Sequence, residues 1–195
     1  MNKAQADIIS AVIIVLIALG LTSTALLWGL PLIQKRQDMA LISRVNNLFT
    51  KDLPLKIKNV ASMGGRETFS VDVEGVWVID ENKNTLTFTF FSKASDKAVG
   101  LWIGEGCNAS TGFVYENGTL GIDEPCVVCV RASQLANGYN ITYQLGCREL
   151  WSETRGYKLK LKPISVTTSK SKMITISKGS VSGDNLITTE IEILL

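Results

Sequence analysis

The sequence predicts an α+β protein: one long N-terminal helix followed by an antiparallel, β-sandwich-like body. Three observations predict it. Residues 8–34 contain no charged side chain. Apolar residues then recur at spacings of three and four as far as Phe49. From Glu67 onward the period changes to two.

The uncharged run fixes the first element. Residues 8–30 hold only Ser10, Thr22, Ser23 and Thr24 as polar members. In a helix they reach about 35 Å, against a hydrocarbon core of about 30 Å. In lipid every backbone amide must be satisfied within the segment, so the run is helical. It exceeds the apolar core of an ordinary secretory signal, about 7–15 residues. Beyond Pro31, the residues Met39, Leu41, Ile42, Val45, Leu48 and Phe49 alternate with charged and amide side chains. This marks an amphipathic second half of the same helix, loosened at Pro31 and ended near Asp52 by Leu53-Pro54. A linker over 53–66 follows, with its hinge at Met63-Gly64-Gly65-Arg66.

The body, 67–195, reads as about ten short strands. Phe69, Val71 and Val73 alternate with Ser70, Asp72 and Glu74. Gly75 suggests a bulge, Val76-Trp77-Val78-Ile79 continues the run, and 80–84 is a turn. Leu86, Phe88 and Phe90 alternate with threonines in the return strand. Further strands are expected over 98–103, 112–115, 126–132, 139–145, 157–162, 164–168, 173–177 and 186–194, with a Gly/Ser loop near 177–185. The lysines of Lys158-Leu159-Lys160-Leu161-Lys162 mark a solvated strand face. Trp77, Trp102 and Trp151 are expected as core anchors.

All four cysteines fall between 107 and 147, and an even count beyond a membrane helix reads as disulfides. Cys126-Val127-Val128-Cys129 matches a zinc or redox spacing only formally. There is one close cysteine pair where a tetrathiolate site shows two, and the valines favour a strand. Asn-Gly pairs at 117–118 and 137–138 lie mid-way in Cys107–Cys126 and in Cys129–Cys147. Two hairpins, each closed by one of those pairings, are therefore expected. The window over 104–151 reads as an outward-facing elaboration. It also carries three sequons, beginning at Asn108, Asn117 and Asn140.

Net charge is +2, with no basic patch to offer a nucleic acid. There is no histidine, which removes histidine-based triads and the commonest general base. The close carboxylates Asp80-Glu81, Asp123-Glu124 and Glu190/Glu192 sit in turns or alternate on a strand. No glycine-rich phosphate loop follows a strand. The sequence reads as a non-enzyme without a cofactor or metal.

Lys3-Ala4-Gln5 directly before such a helix resembles the class III signal peptide of archaeal type IV pilin-like proteins. The resemblance covers roughly residues 1–50. It implies a leader, 1–4, cut between Ala4 and Gln5 by a prepilin peptidase, and a mature helix over 5–52 with its membrane and assembly segment at about 8–33. Asp7, Ile8, Ile9, Val12, Val15, Leu16, Leu19, Leu26, Leu27 and Trp28 would form the assembly surface. It departs from the pattern in two places. Ala4 stands where glycine is commoner, and Asp7 lies nearer the cut than the usual glutamate. Asp7 either pairs with the new amino group of Gln5, its own or a neighbour's, or caps the helix at headgroup level. The resemblance implies a membrane-inserted precursor and a filament of identical copies outside the cell. A minor pilin or archaellum-associated subunit shares these features. The alternative from another class is a single-span surface protein whose body binds a sugar or a protein.

Overall fold

The computed structural model describes residues 3–112 and 117–195, with side chains from Ser10 onward. The fold is α+β: one long helical rod precedes two packed sheets.

Helix α1 runs over Lys3–Asn47 and passes through Pro31 without ending. Thr22 and Thr24 donate to the carbonyls of Ala18 and Gly20 at 2.7 and 2.8 Å, so these hydroxyls need no outside partner. The rod does not stop at Asp52, and the linker expected over 53–66 is helical as far as Met63, leaving only the hinge at Gly64 and Gly65. A π-helical turn, Leu48–Asp52, leads into α2, Leu53–Met63. Leu53 donates its N–H to Leu48 five residues back, and Pro54 follows directly in the first turn of α2. The π-turn thus absorbs the proline that was expected to end the helix. Gly64 and Gly65, at φ +78° and +89°, then end the rod, a conformation that side chains resist. One stripe of the rod is buried: Ile42, Val45, Phe49, Leu53, Ile57, Val60 and Ala61.

The strands are β1 Arg66–Ser70, β2 Gly75–Asp80, β3 Thr85–Ser92, β4 Asn117–Thr119, β5 Cys126–Leu135, β6 Gly138–Cys147, β7 Glu149–Trp151, β8 Gly156–Pro163, β9 Thr168–Ser169, β10 Met173–Ser182 and β11 Leu186–Leu194. Sheet one has the order β1-β10-β11-β8-β7-β4, and sheet two the order β5-β6-β3-β2-β9. The body is not wholly antiparallel. β8 and β11 run parallel, as do β4 and β7. After β8 the chain crosses to sheet two as β9 and returns as the β10–β11 hairpin, which delivers β11 beside β8 in the same direction.

Several local expectations change. Gly75 is no bulge; it pairs regularly with Phe90, and a Cβ there would collide with the Phe88 ring. The bulge lies between Lys178 and Val181, so β10 fills much of the expected loop. Segment 98–103 makes only two isolated bridges, Val99 with Ala132 and Ile103 with Val130. The strand expected over 112–115 falls mostly on 113–116, outside the described residues, and 164–168 supplies only the start of β9.

Both sheets and the rod share one core. The Phe49 ring lies 5.6 Å from Phe69 in sheet one, and 5.6, 5.5 and 4.9 Å from Trp77, Phe88 and Tyr143 in sheet two. Asn84, at φ +54°, ties the sheets at one end. Its Nδ2 donates to Cys147 and Leu159 carbonyls at 2.9 and 2.7 Å, and its Oδ1 accepts from the Leu161 N–H at 2.8 Å. Trp77 and Trp102 are buried as expected, whereas Trp151 is 39% exposed.

Candidate functional site: an exposed apolar helix half

The rod divides sharply by exposure. From Val12 to Ile33, fourteen large apolar side chains stand exposed on every side. They include the expected assembly residues Val12, Val15, Leu16, Leu19, Leu26, Leu27 and Trp28. Burial by the body begins at Asp38 and Met39 and is complete at Ile42. The helical segment Ser10–Met63 is long and apolar enough to cross a membrane; its most apolar stretch has mean hydropathy 2.4, and none of that stretch is buried. Fully burying such side chains is worth on the order of 1.5–3 kcal/mol each as an upper bound. Fourteen such side chains bare in water carry a large unfavourable free energy.

The face is also smooth. A Cβ added at Gly20 or Gly29 would meet nothing within 4 Å. Small residues at these places permit close approach of another helix. Lys35 and Arg36 follow the apolar run directly and are exposed. Ala4 and Gln5 lie within α1, and the side chains of Asp7, Ile8 and Ile9 fall outside the described ones, as do Met1 and Asn2 altogether.

The two disulfides differ from the expected pairing. Cys126 bonds to Cys147 and Cys107 to Cys129. The β5–β6 hairpin turns at Ala136 and Asn137, with Leu135 opposite Gly138, so Cys126 and not Cys129 faces Cys147. Asn137 keeps negative φ, and Gly138 starts the return strand rather than completing a primed turn. Asn117-Gly118 is no hairpin turn either. It lies in β4 beside β7, where a Cβ on Gly118 would stand 2.7 Å from Leu150. The cysteine window is not purely an outer elaboration: β5 and β6 supply Val130, Ile141, Tyr143 and Leu145 to the core. Among the described residues, the segment up to Gly112 lies on the outer side of β5 and β6. Cys129 anchors it, Trp102 holds the Arg131 guanidinium at 4.7 Å, and Gln144 donates to the Gly112 carbonyl.

The three sequons are not brought together. Asn108 is exposed in that outer segment, where its Oδ1 accepts from Ser110 and Thr111. Asn117 is exposed on β4, and Asn140 is half-buried within β6 opposite Phe91.

The close carboxylates serve structure. Asp80 accepts from the Asn82 and Lys83 N–H groups in its turn. Asp123 holds the Thr119 N–H and Arg148, while Glu124 meets Lys58 at 3.3 Å. The Lys158 hydrogen bond holds the Glu149 carboxyl below the usual range, and the Ser180 hydroxyl does the same for Glu190. Burial, followed by the charge of Asp96, pushes the Tyr143 hydroxyl up. Among the described residues, no group of three acidic or cysteine side chains could hold a metal ion. A cleft of about 490 Å³ between α2 and the Cys126 region is edged by Lys51, Lys58, Glu105 and Glu124.

No family model, no curated protein and no solved structure matches this chain.

Proposed function

We propose that this chain is the structural subunit of an archaeal type IV pilus-like filament, held together by the apolar half of its N-terminal rod. One observation carries the reading. One continuous helical rod is bare and apolar over its first half and buries a single stripe in a β-rich body over its second. A rod built this way occupies lipid as a precursor and then shares an apolar core with other copies, the bodies forming the outer surface. The resemblance of Lys3-Ala4-Gln5 to a prepilin leader supports this sequence of events. Two disulfides in the body suit an oxidising compartment outside the cytoplasm. Adhesion is the role such a filament suggests. A minor pilin or archaellum-associated subunit is a variant of the same proposal. N-terminal sequencing of the mature protein tests it: a start at Gln5 supports filament processing.

The second reading is a single-span surface protein that keeps its leader. Trp28, 78% exposed, followed by Lys35 and Arg36, favours it, because such residues mark a membrane boundary. An intact Met1 on the native protein would decide for it.

A further inference from the structure

The strands of the body run along the rod, and four contacts set their level against it. Lys58 meets Glu124 at 3.3 Å, Lys56 meets Glu67 at 2.9 Å, Asn46 meets the Tyr143 hydroxyl at 3.4 Å, and Arg44 meets Asp72 at 3.9 Å. Descending the helix therefore means descending β6 toward its start. From Tyr143 to Gly138 the strand drops about 17 Å. From Asn46 to Lys35 the helix drops about the same distance. The β5–β6 turn at Ala136 and Asn137 thus stands level with Lys35 and Arg36, just beyond Ile33, the last apolar residue of the exposed half.

This end of the body has a distinct surface. Leu135 is 46% exposed beside the turn, and Phe91, opposite Asn140, is 49% exposed. Ser92 pairs with Tyr139, which places the exposed Lys93 at the same level. Two partly bare apolar side chains and Lys93 therefore stand level with Lys35 and Arg36, and Lys170, Lys172 and one acid, Glu74, line the same surface as Phe91. A bilayer has a polar layer of roughly 5–7 Å outside each face of its hydrocarbon core. The turn falls within that layer whenever residues 10–33 span the hydrocarbon.

We propose that this end of the body is a membrane footing. The Ala136–Asn137 turn, Leu135, Phe91 and Lys93 rest among anionic lipid headgroups while the chain is membrane-inserted. The cations meet lipid phosphates, and the apolar side chains enter the boundary between headgroup and acyl chain. The footing holds the body in one orientation above the bilayer and is released when the rod leaves the lipid. The inference rests on the reading of residues 10–33 as a membrane span.

The test uses the full chain in vesicles of phosphatidylcholine, with and without phosphatidylglycerol. A fluorophore is attached at Ala136→Cys, at Asn82→Cys in the turn at the opposite end of the body, or at Val15→Cys in the span. Nitroxides on lipid headgroups should quench position 136 several-fold more than position 82, and more strongly with phosphatidylglycerol present. Nitroxides on acyl chains should quench position 15. Equal weak quenching at 136 and 82, with position 15 still quenched, would overturn the footing and leave the span intact. Equal quenching at 136 in both lipid mixtures would overturn the anionic assignment. An unquenched position 15 would overturn the membrane reading beneath it.

Discussion

The ring of Phe49, on the rod, lies 4.9 Å from the ring of Tyr143, on β6, with the planes inclined by only 24°. Phe49 is fully buried in the π-turn and touches both sheets, so it joins the helix to the body. Phe49→Ala should lower the unfolding free energy of the body by about 3–5 kcal/mol, the usual cost of emptying a large aromatic site. Denaturant unfolding followed by tryptophan fluorescence measures it. A loss below about 1 kcal/mol would mean that the rod does not dock this way.

Asn84 joins the sheets through its side chain. Asn84→Ala leaves the Leu159 and Cys147 carbonyls and the Leu161 N–H without this partner in a buried place. At about 1–3 kcal/mol for each unsatisfied group, the loss should be at least about 3 kcal/mol. Asn84→Asp removes the donors but keeps an acceptor for Leu161, and its cost should not vanish. Thermal unfolding of both variants checks this.

The disulfides should map as Cys126–Cys147 and Cys107–Cys129 when unreduced protein is digested and its linked peptides are weighed. The closed loops are nearly equal, with sequence separations of 21 and 22. Removing either bridge by paired serine substitution should cost about 3 kcal/mol, mainly through a freer unfolded chain. A Cys129–Cys147 peptide would contradict the hairpin register.

Glu149 accepts from Lys158 at 2.8 Å, which holds its carboxyl below the ordinary glutamate value. A depressed carboxylate contributes stability that is present above its unfolded value and lost as pH falls through its folded value. Glu149→Gln should therefore be less stable at neutral pH, by under about 1 kcal/mol for so exposed a pair. The difference should close as the medium is acidified below the ordinary glutamate range. A difference that grew in acid would refute the pairing.

The broad plan was legible because it rests on periodicity. Spacing separated the bare half of the rod from the docked half, and the change at Glu67 marked the first strand. What failed depended on a few degrees of backbone or on contacts distant in sequence. Pro54 looked like a stop because a π-turn leaves no apolar pattern of its own. Asn137-Gly138 looked like the centre of a hairpin, yet the turn lies one residue earlier, which changed every cysteine partner. Asn84 read as one more polar turn residue, because its partners lie 63–77 positions away. The parallel β8–β11 pair depends on a crossover through the other sheet, which no local window contains.

Val15→Asp should abolish assembly while leaving the body folded. It places an unpaired carboxylate on the bare half, 27 residues before the first fully buried position, Ile42. Unfolding of the body should be unchanged from the parent chain, and fibres should be absent from the cell surface. Normal fibres from this variant would contradict the shared helical core.

Cell-surface fibres, purified, imaged by electron microscopy and analysed for the N-terminus of their subunit, test the shared helical core. Filaments should show the rods packed along the axis and a subunit that begins at Gln5. A native chain found as a soluble monomer, or held permanently in the membrane with Met1 to Ala4 retained, would contradict it.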